Sequence, residues 1–282
     1  MRREILLVLA GAVVYGCVSA PAAAVPSTPA RTALPSRPAP PATFTPPPTP
    51  SGPACLEVPG TFTADEYIDA DLPRTIPYRV YLPPCFQESW AAPYPVLLML
   101  HGLLSTDQQW QDLGIGEAAD RLISQGDAPP FLIILPWERK GLEFESALAE
   151  HLLPFVQDTY SGTKERQRLA VGGLSRGAGW ALRLGFKHPN LFGAIGLHSP
   201  AVLTPDLFYL PEWVEAIPEA HRPRLWVDVG DHDSLRSSVF ELTAALDELG
   251  YPYAWTFDPG DHTPEYWSAH LETYLRWYAE SW

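Results

Sequence analysis

After residue 53, short continuous apolar runs alternate with segments whose apolar residues recur every three or four positions. The apolar runs have the length and composition of strands buried on both faces, at residues 96–100, 131–135, 168–172, 192–197, 225–229 and 253–257. The segments between them have the spacing of amphipathic helices, at residues 117–124, 144–160, 176–187, 235–249 and 264–278. This alternation predicts an α/β fold, in which a mostly parallel sheet is covered by helices on both faces.

The chain is predicted to carry one globular domain, over residues 54–282. About 230 residues lie within the usual limit for a single hydrophobic core. Two strands at residues 60–71 and 75–82, joined by a short turn, are predicted to open its sheet. The residues before 54 differ in composition and divide into two further segments, residues 1–20 and 21–53.

Residues 1–20 are predicted to be a signal peptide. Arg2 and Arg3 precede an apolar stretch at residues 5–14 that is too short to span a bilayer. Residues 14–17 resemble a bacterial lipobox, which makes Cys17 a candidate for lipidation and membrane tethering, although Tyr15 is unusual in that motif. The small residues 22–24 offer ordinary signal cleavage instead. Either ending predicts an extracytoplasmic protein of a bacterium, secreted or held as a cell-envelope lipoprotein.

Residues 21–53 are predicted to be a disordered linker. They hold 12 of the 32 prolines of the chain, mixed with Ala, Thr and Ser. Such a segment has little apolar surface to bury and cannot recover the entropy that ordering costs. It would act as a semi-extended tether between an envelope and the domain.

The formal net charge is −14 at pH 7. A domain of this charge repels a phosphate backbone, so nucleic acid is not expected as a partner. The sequence shows no metal-ligand spacing of cysteine and histidine, and no metal or organic cofactor is expected.

Of the three cysteines, Cys55 and Cys85 bracket the first predicted pair of strands. In an oxidising compartment these two are expected to form a disulfide. Two buried free thiols are the alternative.

Residues 173–177 fit the pattern G-x-S-x-G between a predicted strand and a predicted helix. This context is typical of a nucleophile elbow, a sharp turn in which flanking glycines avoid steric clashes and the serine hydroxyl is raised above the sheet. Ser175 is therefore the candidate nucleophile. The backbone N–H of Arg176, at the helix start, is a candidate oxyanion donor.

A second oxyanion donor is expected in the loop after residues 96–100. Gly102 allows a tight turn there, so the backbone N–H of Leu103 can face the site. His101 lies in the turn and is expected to orient the loop.

The nucleophile, acid and base of this fold follow each other in that order along the chain. After Ser175, the acid candidates are Asp231 and Asp233 in the loop that follows a strand, whereas Asp228 lies within the strand and suits local hydrogen bonding. His262, between the last strand and the last helix, is the candidate base. It would accept the proton of Ser175 while the acid orients its ring.

These motifs resemble the putative esterase family, which includes esterase D, enterochelin esterase, bacterial feruloyl esterases and the mycolyltransferases. The resemblance spans residues 78–278 and rests on several blocks, at residues 95–102, 148–160, 170–177, 188–193 and 230–235. It implies an α/β-hydrolase fold and, through the last block, favours Asp233 as the acid. Arg176 and Ala178 depart from residues that are common in the family.

The sequence therefore predicts a serine carboxylic ester hydrolase that acts on a small-molecule or carbohydrate ester. Acyl transfer of the mycolyltransferase type and a catalytically silent tethered binding module are the alternatives. Residues 200–224 are a candidate lid or pocket wall because they carry Phe208, Tyr209 and Trp213. Four further rings in or beside strand-end loops are candidates for substrate binding: Trp110, Trp137, His198 and Trp267.

Overall fold

The computed structural model describes residues 54–86 and 93–282. The predicted signal peptide, the Pro-rich linker and the lipidation candidate Cys17 lie outside the described residues and stay predictions.

A single sheet of eight strands organises the domain, in the order β1-β2-β4-β3-β5-β6-β7-β8. The strands are β1 Thr61–Tyr67, β2 Ile76–Leu82, β3 Val96–Leu100, β4 Leu132–Pro136, β5 Leu169–Leu174, β6 Ala194–His198, β7 Arg224–Gly230 and β8 Ala254–Asp258. Strand β2 pairs antiparallel with β1 and β4, and every other neighbouring pair is parallel. The predicted mostly parallel α/β sheet is confirmed.

The helices are α1 Gln109–Asp112, α2 Ile115–Gln125, α3 Phe144–Ser146, α4 Leu153–Thr159, α5 Arg176–Lys187, α6 Thr204–Ala216, α7 Arg236–Glu248 and α8 Pro264–Ala279. A π-helical segment, Ala147–Leu152, joins α3 to α4. The segment ends two residues before Pro154, which cannot donate a backbone hydrogen bond to the preceding turn, and a wider turn accommodates that loss.

Helices cover the sheet on both faces because successive residues of each buried strand point to opposite sides. Leu98 and Leu100 of β3 pack into the cluster that includes α5 and α7, whereas Leu97 and Met99 pack into the cluster with α2 and α8. The parallel strands end at one edge of the sheet, and the loops that follow them meet there.

Cys55 and Cys85 form a disulfide, as predicted. It ties the short 3₁₀ helix Ala54–Glu57 to the turn after β2. Within residues 54–86 and 93–282, no helix combines the length and apolar character that crossing a membrane requires.

Candidate active site

Ser175 lies at the turn between β5 and α5, with φ at +53°. A positive φ is costly for a residue with a side chain, so the turn is held by its surroundings. A Cβ at Gly177 would stand 2.2 Å from the carbonyl oxygen of Leu100, and one at Gly173 would stand 2.4 Å from the backbone of Gly177. The two glycines of the motif therefore let strand and helix approach closely enough to form the elbow.

The loops after β7 and β8 bring Asp233 and His262 to Ser175. The hydroxyl of Ser175 lies 2.9 Å from Nε2 of His262, and Nδ1 of His262 lies 2.9 Å from Oδ2 of Asp233. With Nδ1–H donating to the carboxylate, Nε2 is left to accept the Ser175 proton. The three side chains therefore form the chain of hydrogen bonds that activates a serine hydroxyl.

The side chain of Asp233 is fully buried beside His262. Burial opposes ionisation of this carboxyl, but hydrogen bonds from His262, the Leu235 N–H and Ser199 outweigh it and lower its pKa. The bond from the Leu235 N–H to Oδ1 is 2.7 Å long. Asp233 is thus held as an anion, the state that orients a histidine ring.

Asp231, the alternative acid, contacts the loop that carries His262 and not its ring. Its Oδ1 accepts the N–H of Gly260 at 2.9 Å and lies 2.7 Å from Nδ1 of His232. The Gly260 hydrogen bond lowers the pKa of Asp231. The carboxylate therefore stabilises the backbone two residues before His262.

The loop after β3 stands beside Ser175, as expected. Leu103 and Arg176 both line the cavity next to the serine hydroxyl. The N–H of Gly102 donates to Oε1 of Gln109 at 2.7 Å, and Nδ1 of His101 donates to the carbonyl oxygen of Gly102 at 2.7 Å. These contacts hold the turn that contains Leu103.

His101 is buried, and its Nε2 accepts the backbone N–H of Glu138 at 2.9 Å. Burial lowers the pKa of His101, so the ring stays neutral and keeps an acceptor for that bond. The expected role of His101 in orienting the loop agrees with these contacts.

The carboxylate of Glu138 forms a two-pronged ion pair with Arg176, in which Nε donates to Oε2 at 2.7 Å. Burial alone would raise the pKa of Glu138, but the Arg176 guanidinium more than offsets it and the pKa is lowered. Glu138 therefore joins the loop after β3 to the start of α5. Sequence reasoning missed it because its partners lie 37 and 38 positions away.

A cavity of about 350 Å³ opens beside Ser175. Its walls are mostly apolar, with two ion-paired arginines, and are formed by Leu103, Ser175, Arg176, Gly179, Trp180, Arg183, Ala201, Leu203, Asp206, Ser234, Leu235 and His262. One face of α5 supplies the residues at 176, 179, 180 and 183. That spacing of three and four positions after the motif was available in the sequence and could have identified Trp180 and Arg183.

Three of the four predicted substrate contacts are tryptophans, and none of them lines the cavity. Trp110 is buried, and its Nε1 donates to the carbonyl oxygen of Leu100 at 3.0 Å. Trp137 does not line the cavity and stacks under Arg139 at 4.7 Å. Trp267 is buried with its ring centroid 4.9 Å from that of His262, so it packs against the candidate base.

The prediction that His198 lines the cleft is also wrong. His198 is fully buried, with Nδ1 bonded to Asp228 and Nε2 3.0 Å from the hydroxyl of Tyr278. Asp228 also accepts the hydroxyls of Tyr266 and Tyr274. Its expected role in local hydrogen bonding agrees with this buried network.

The candidate lid or pocket wall, residues 200–224, contributes to the cavity wall through its first residues and not through its aromatic rings. Helix α6 lies there, and Leu203 and Asp206 at its start line the cavity. Phe208 and Tyr209 are exposed and do not line it. Within the described residues, no group of three or more potential ligand side chains is placed to hold a metal ion.

The family model for putative esterases matches residues 70–278, more than half of the chain. Among curated proteins, an endo-1,4-beta-xylanase/feruloyl esterase from Xylanibacter ruminicola is 26% identical in an alignment of 168 residues that covers 54% of this chain and 22% of that protein. The chain thus spans about a fifth of the length of that relative.

Solved structures of similar shape include a ferulic acid esterase, with a TM-score of 0.71 and 25% identity over 79% of this chain and all of the other. A ferulic acid esterase from Anaeromyces mucronatus in complex with ferulic acid has a TM-score of 0.66 and 22% identity, covering 77% of this chain and 90% of the other. An S-formylglutathione hydrolase from Staphylococcus aureus has a TM-score of 0.66 at 16% identity, over 78% and 97% of the two chains. The last two support the fold alone.

Proposed function

Because this chain belongs to the putative esterase family of the α/β-hydrolase superfamily, we propose that it is a serine carboxylic ester hydrolase that works through an acyl-serine intermediate. The observation that carries the proposal is the pair of 2.9 Å contacts that link Ser175 to His262 and His262 to Asp233. Asp231, the competing acid, is bonded to Gly260 instead.

In the first step Ser175 Oγ attacks the ester carbonyl while His262 Nε2 takes the hydroxyl proton. The Leu103 and Arg176 N–H groups bind the negative charge that develops on the carbonyl oxygen. Loss of one such donor typically lowers kcat by a factor of ~10²–10³. His262 then gives its proton to the leaving alcohol oxygen as the carbon–oxygen bond breaks. Water then attacks the acyl-serine while His262 takes a proton from it. The bond from the acyl carbon to Ser175 Oγ breaks, His262 returns the proton to Oγ, and the acid is released.

The acyl group that fits best is an aromatic acid. The cavity beside Ser175 is mostly apolar and carries Trp180 in its wall, and pockets of about 300 Å³ and above take small organic groups. Two relatives named as feruloyl or ferulic acid esterases agree with this class of acid. The proposed substrate is therefore an ester of an aromatic carboxylic acid, with a small alcohol or a sugar on the other side.

The Cys55–Cys85 disulfide supports a location outside the cytoplasm, where such bonds persist. Lipidation of Cys17, followed by the Pro-rich tether, would hold the enzyme at the cell envelope. Release of the protein from membranes by Cys17→Ser would support this arrangement, and unchanged membrane association of that variant would contradict it.

Hydrolysis of p-nitrophenyl acetate and butyrate by the full chain tests the activity. Wild type is expected to release p-nitrophenol with an acyl-enzyme burst, and Ser175→Ala to lose at least about 10³-fold in kcat. Ser234→Ala is the matched control, since Ser234 lines the same cavity while the His262 ring is bonded to Ser175 and Asp233. Equal rates for wild type and Ser175→Ala would instead support a silent binding module.

Adding a sugar acceptor to the same reaction tests acyl transfer. Free acid as the sole product supports hydrolysis. Accumulation of acylated sugar at the expense of free acid would favour a transferase.

A further inference from the structure

The cavity beside Ser175 follows one face of α5, from Arg176 through Trp180 to Arg183. Seven residues of α-helix rise about 10 Å, so Arg183 lies roughly that far from the elbow along the helix axis. An acetyl group on Ser175 is too short to reach it. An extended acyl group with an aromatic ring is long enough.

Two contacts orient the guanidinium of Arg183. Its Nε donates to Oδ1 of Asp206 at 2.8 Å, and its Cζ lies 4.9 Å from the centre of the Trp180 ring. Stacking on an aromatic ring and pairing with a carboxylate both restrict a guanidinium to one plane. The group is therefore held in place before any ligand binds.

The ion pair with Asp206 uses Nε of Arg183 and neither of its two Nη groups. Within residues 54–86 and 93–282 neither of them has a hydrogen-bond partner, and neither is a buried unpaired atom. The side chain is 22% exposed and lines the cavity. Up to four N–H bonds can thus be donated to a ligand at this end of the cavity.

The charge of Arg183 is already balanced. The side chain of Asp206 is 3% exposed and pairs with Arg183, just as Glu138 pairs with Arg176 at the other end. A carboxylate brought into this end would lose its hydration without meeting a free positive charge, and that loss is costly. A neutral oxygen acceptor loses less hydration and still accepts the Nη bonds.

We propose that Arg183, held by Asp206 and Trp180, forms a subsite that selects acyl groups carrying a neutral oxygen acceptor, such as a phenol or aryl ether, at the end remote from the ester. The subsite rests on the proposed ester hydrolysis and adds a selectivity for the far end of the acid. Asp206 and Trp180 are positioning residues, and Arg183 makes the contact.

Matched methyl esters test the subsite in the full chain. Methyl 4-methoxycinnamate carries the acceptor, methyl 4-ethylcinnamate has nearly the same shape without it, and the monomethyl ester of 4-carboxycinnamate carries a charge. For wild type, kcat/KM is expected to be about 10-fold higher for the methoxy ester than for the ethyl analogue, the value of one hydrogen bond to a charged donor. The carboxylate ester is expected to be the poorest.

Arg183→Gln removes the donor fork, and Arg183→Lys keeps the ion pair with Asp206 but loses the fork. Both are expected to reduce the methoxy preference, measured as the ratio of kcat/KM for the two esters on one preparation, to less than twofold. Hydrolysis of p-nitrophenyl acetate by the same preparation shows that each variant is folded. Arg222→Gln, remote from the cavity, is the control and should retain the preference.

A methoxy preference that persists in Arg183→Lys at normal acetate activity would overturn the subsite. A wild type that favours the carboxylate ester would overturn its selectivity for neutral groups. Wild-type protein without acetate hydrolysis would contradict the proposed function instead, so the two failures are distinguishable. If Arg183→Gln loses acetate activity through misfolding, Arg183→Lys still decides the outcome.

Discussion

The indole N–H of Trp267 donates a hydrogen bond to Oγ of Ser199 at 3.3 Å, and Ser199 in turn bonds to the carboxylate of Asp233. Ser199 is fully buried with φ at +49°, a conformation that costs a residue with a side chain about 1–2 kcal/mol. Glycine would avoid that cost. A strained, buried serine at this place indicates that the hydroxyl is needed to orient the acid.

Ser199→Ala and Ser199→Gly are both expected to lower kcat about 10-fold, because Asp233 loses one of the bonds that hold it. The pKa of Asp233 should rise, since the Ser199 bond lowers it in the wild type. Urea unfolding should find Ser199→Gly about 1 kcal/mol more stable than Ser199→Ala, because glycine relieves the positive φ. Wild-type kcat in both variants would show that the hydroxyl only fills space.

Asp233→Asn is expected to lower kcat by about 10⁴-fold, because an amide no longer stabilises the charged ring of His262. Asp231→Asn is the matched control, since Asp231 bonds to Gly260 and not to the His262 ring. Its kcat should fall less than 10-fold. Steady-state kinetics with p-nitrophenyl acetate measure both variants. A larger loss of kcat in Asp231→Asn would contradict the assignment and make Asp231 the acid.

His101 makes stability depend on pH. Burial lowers the pKa of His101 in the folded chain. Between that lowered pKa and the pKa in the unfolded chain, the folded state therefore binds fewer protons than the unfolded state. The stability that neutral His101 contributes is present above the unfolded value, about 6.5, and is lost as pH falls through the lower folded value. Protonation would also remove the acceptor for the Glu138 N–H.

Urea unfolding between pH 4.5 and 7.5 tests this dependence. His101→Gln keeps an acceptor without a titrating ring, so its stability should fall less steeply below pH 6.5 than that of wild type. His151→Gln, a change at a part-buried histidine that bonds to Asp69, controls for other titrations. Identical pH slopes for wild type and His101→Gln would contradict the assignment.

The sequence predicted the elements whose signals are local. The continuous apolar run of β3 and the motif at the start of α5 gave the observed bounds, Val96–Leu100 and Arg176–Lys187. Helix α6 was not predicted as a helix, because Pro211 lies inside it and its apolar residues are not periodic. Tertiary contacts stabilise it, among them the Arg183–Asp206 ion pair.

The order of nucleophile, acid and base along the chain selected the residues that meet at the sheet edge. The rings around them could not be placed in the same way. His198 ends β6 directly beside Asp228 of β7 in the parallel register, and that pairing turns its ring into the protein instead of the cleft. Which face a strand-end side chain takes depends on its neighbour in the sheet, which a single sequence does not specify.

The hydroxyl of Tyr278 reaches His198 across the space that two glycines of the paired strands β5 and β6 leave on the sheet. Filling this space is expected to lower the stability of the fold strongly. A Cβ at Gly196 would stand 1.8 Å from that hydroxyl, and one at Gly172 would stand 1.9 Å from it. Both glycines therefore make room for Tyr278, which ties α8 to the sheet beneath the candidate site. Gly196→Ala is expected to lower the free energy of unfolding by about 3 kcal/mol or more, since the side chain must leave its place.

Tyr278→Phe removes the hydrogen bond to His198 and leaves the packing of the ring unchanged. It leaves Nε2 of His198 without its partner and should cost about 1–3 kcal/mol, as a buried unsatisfied group does. Tyr253→Phe, which removes a more exposed hydroxyl bonded to Asp247, is the control and should cost less than 1 kcal/mol. Because the network does not contact Ser175 Oγ or His262 Nε2, folded Tyr278→Phe should keep its kcat within about threefold of wild type. Urea unfolding and kinetics on the same preparation decide the point: a large loss of kcat in a fully folded variant would mean that this network also sets the geometry of the site.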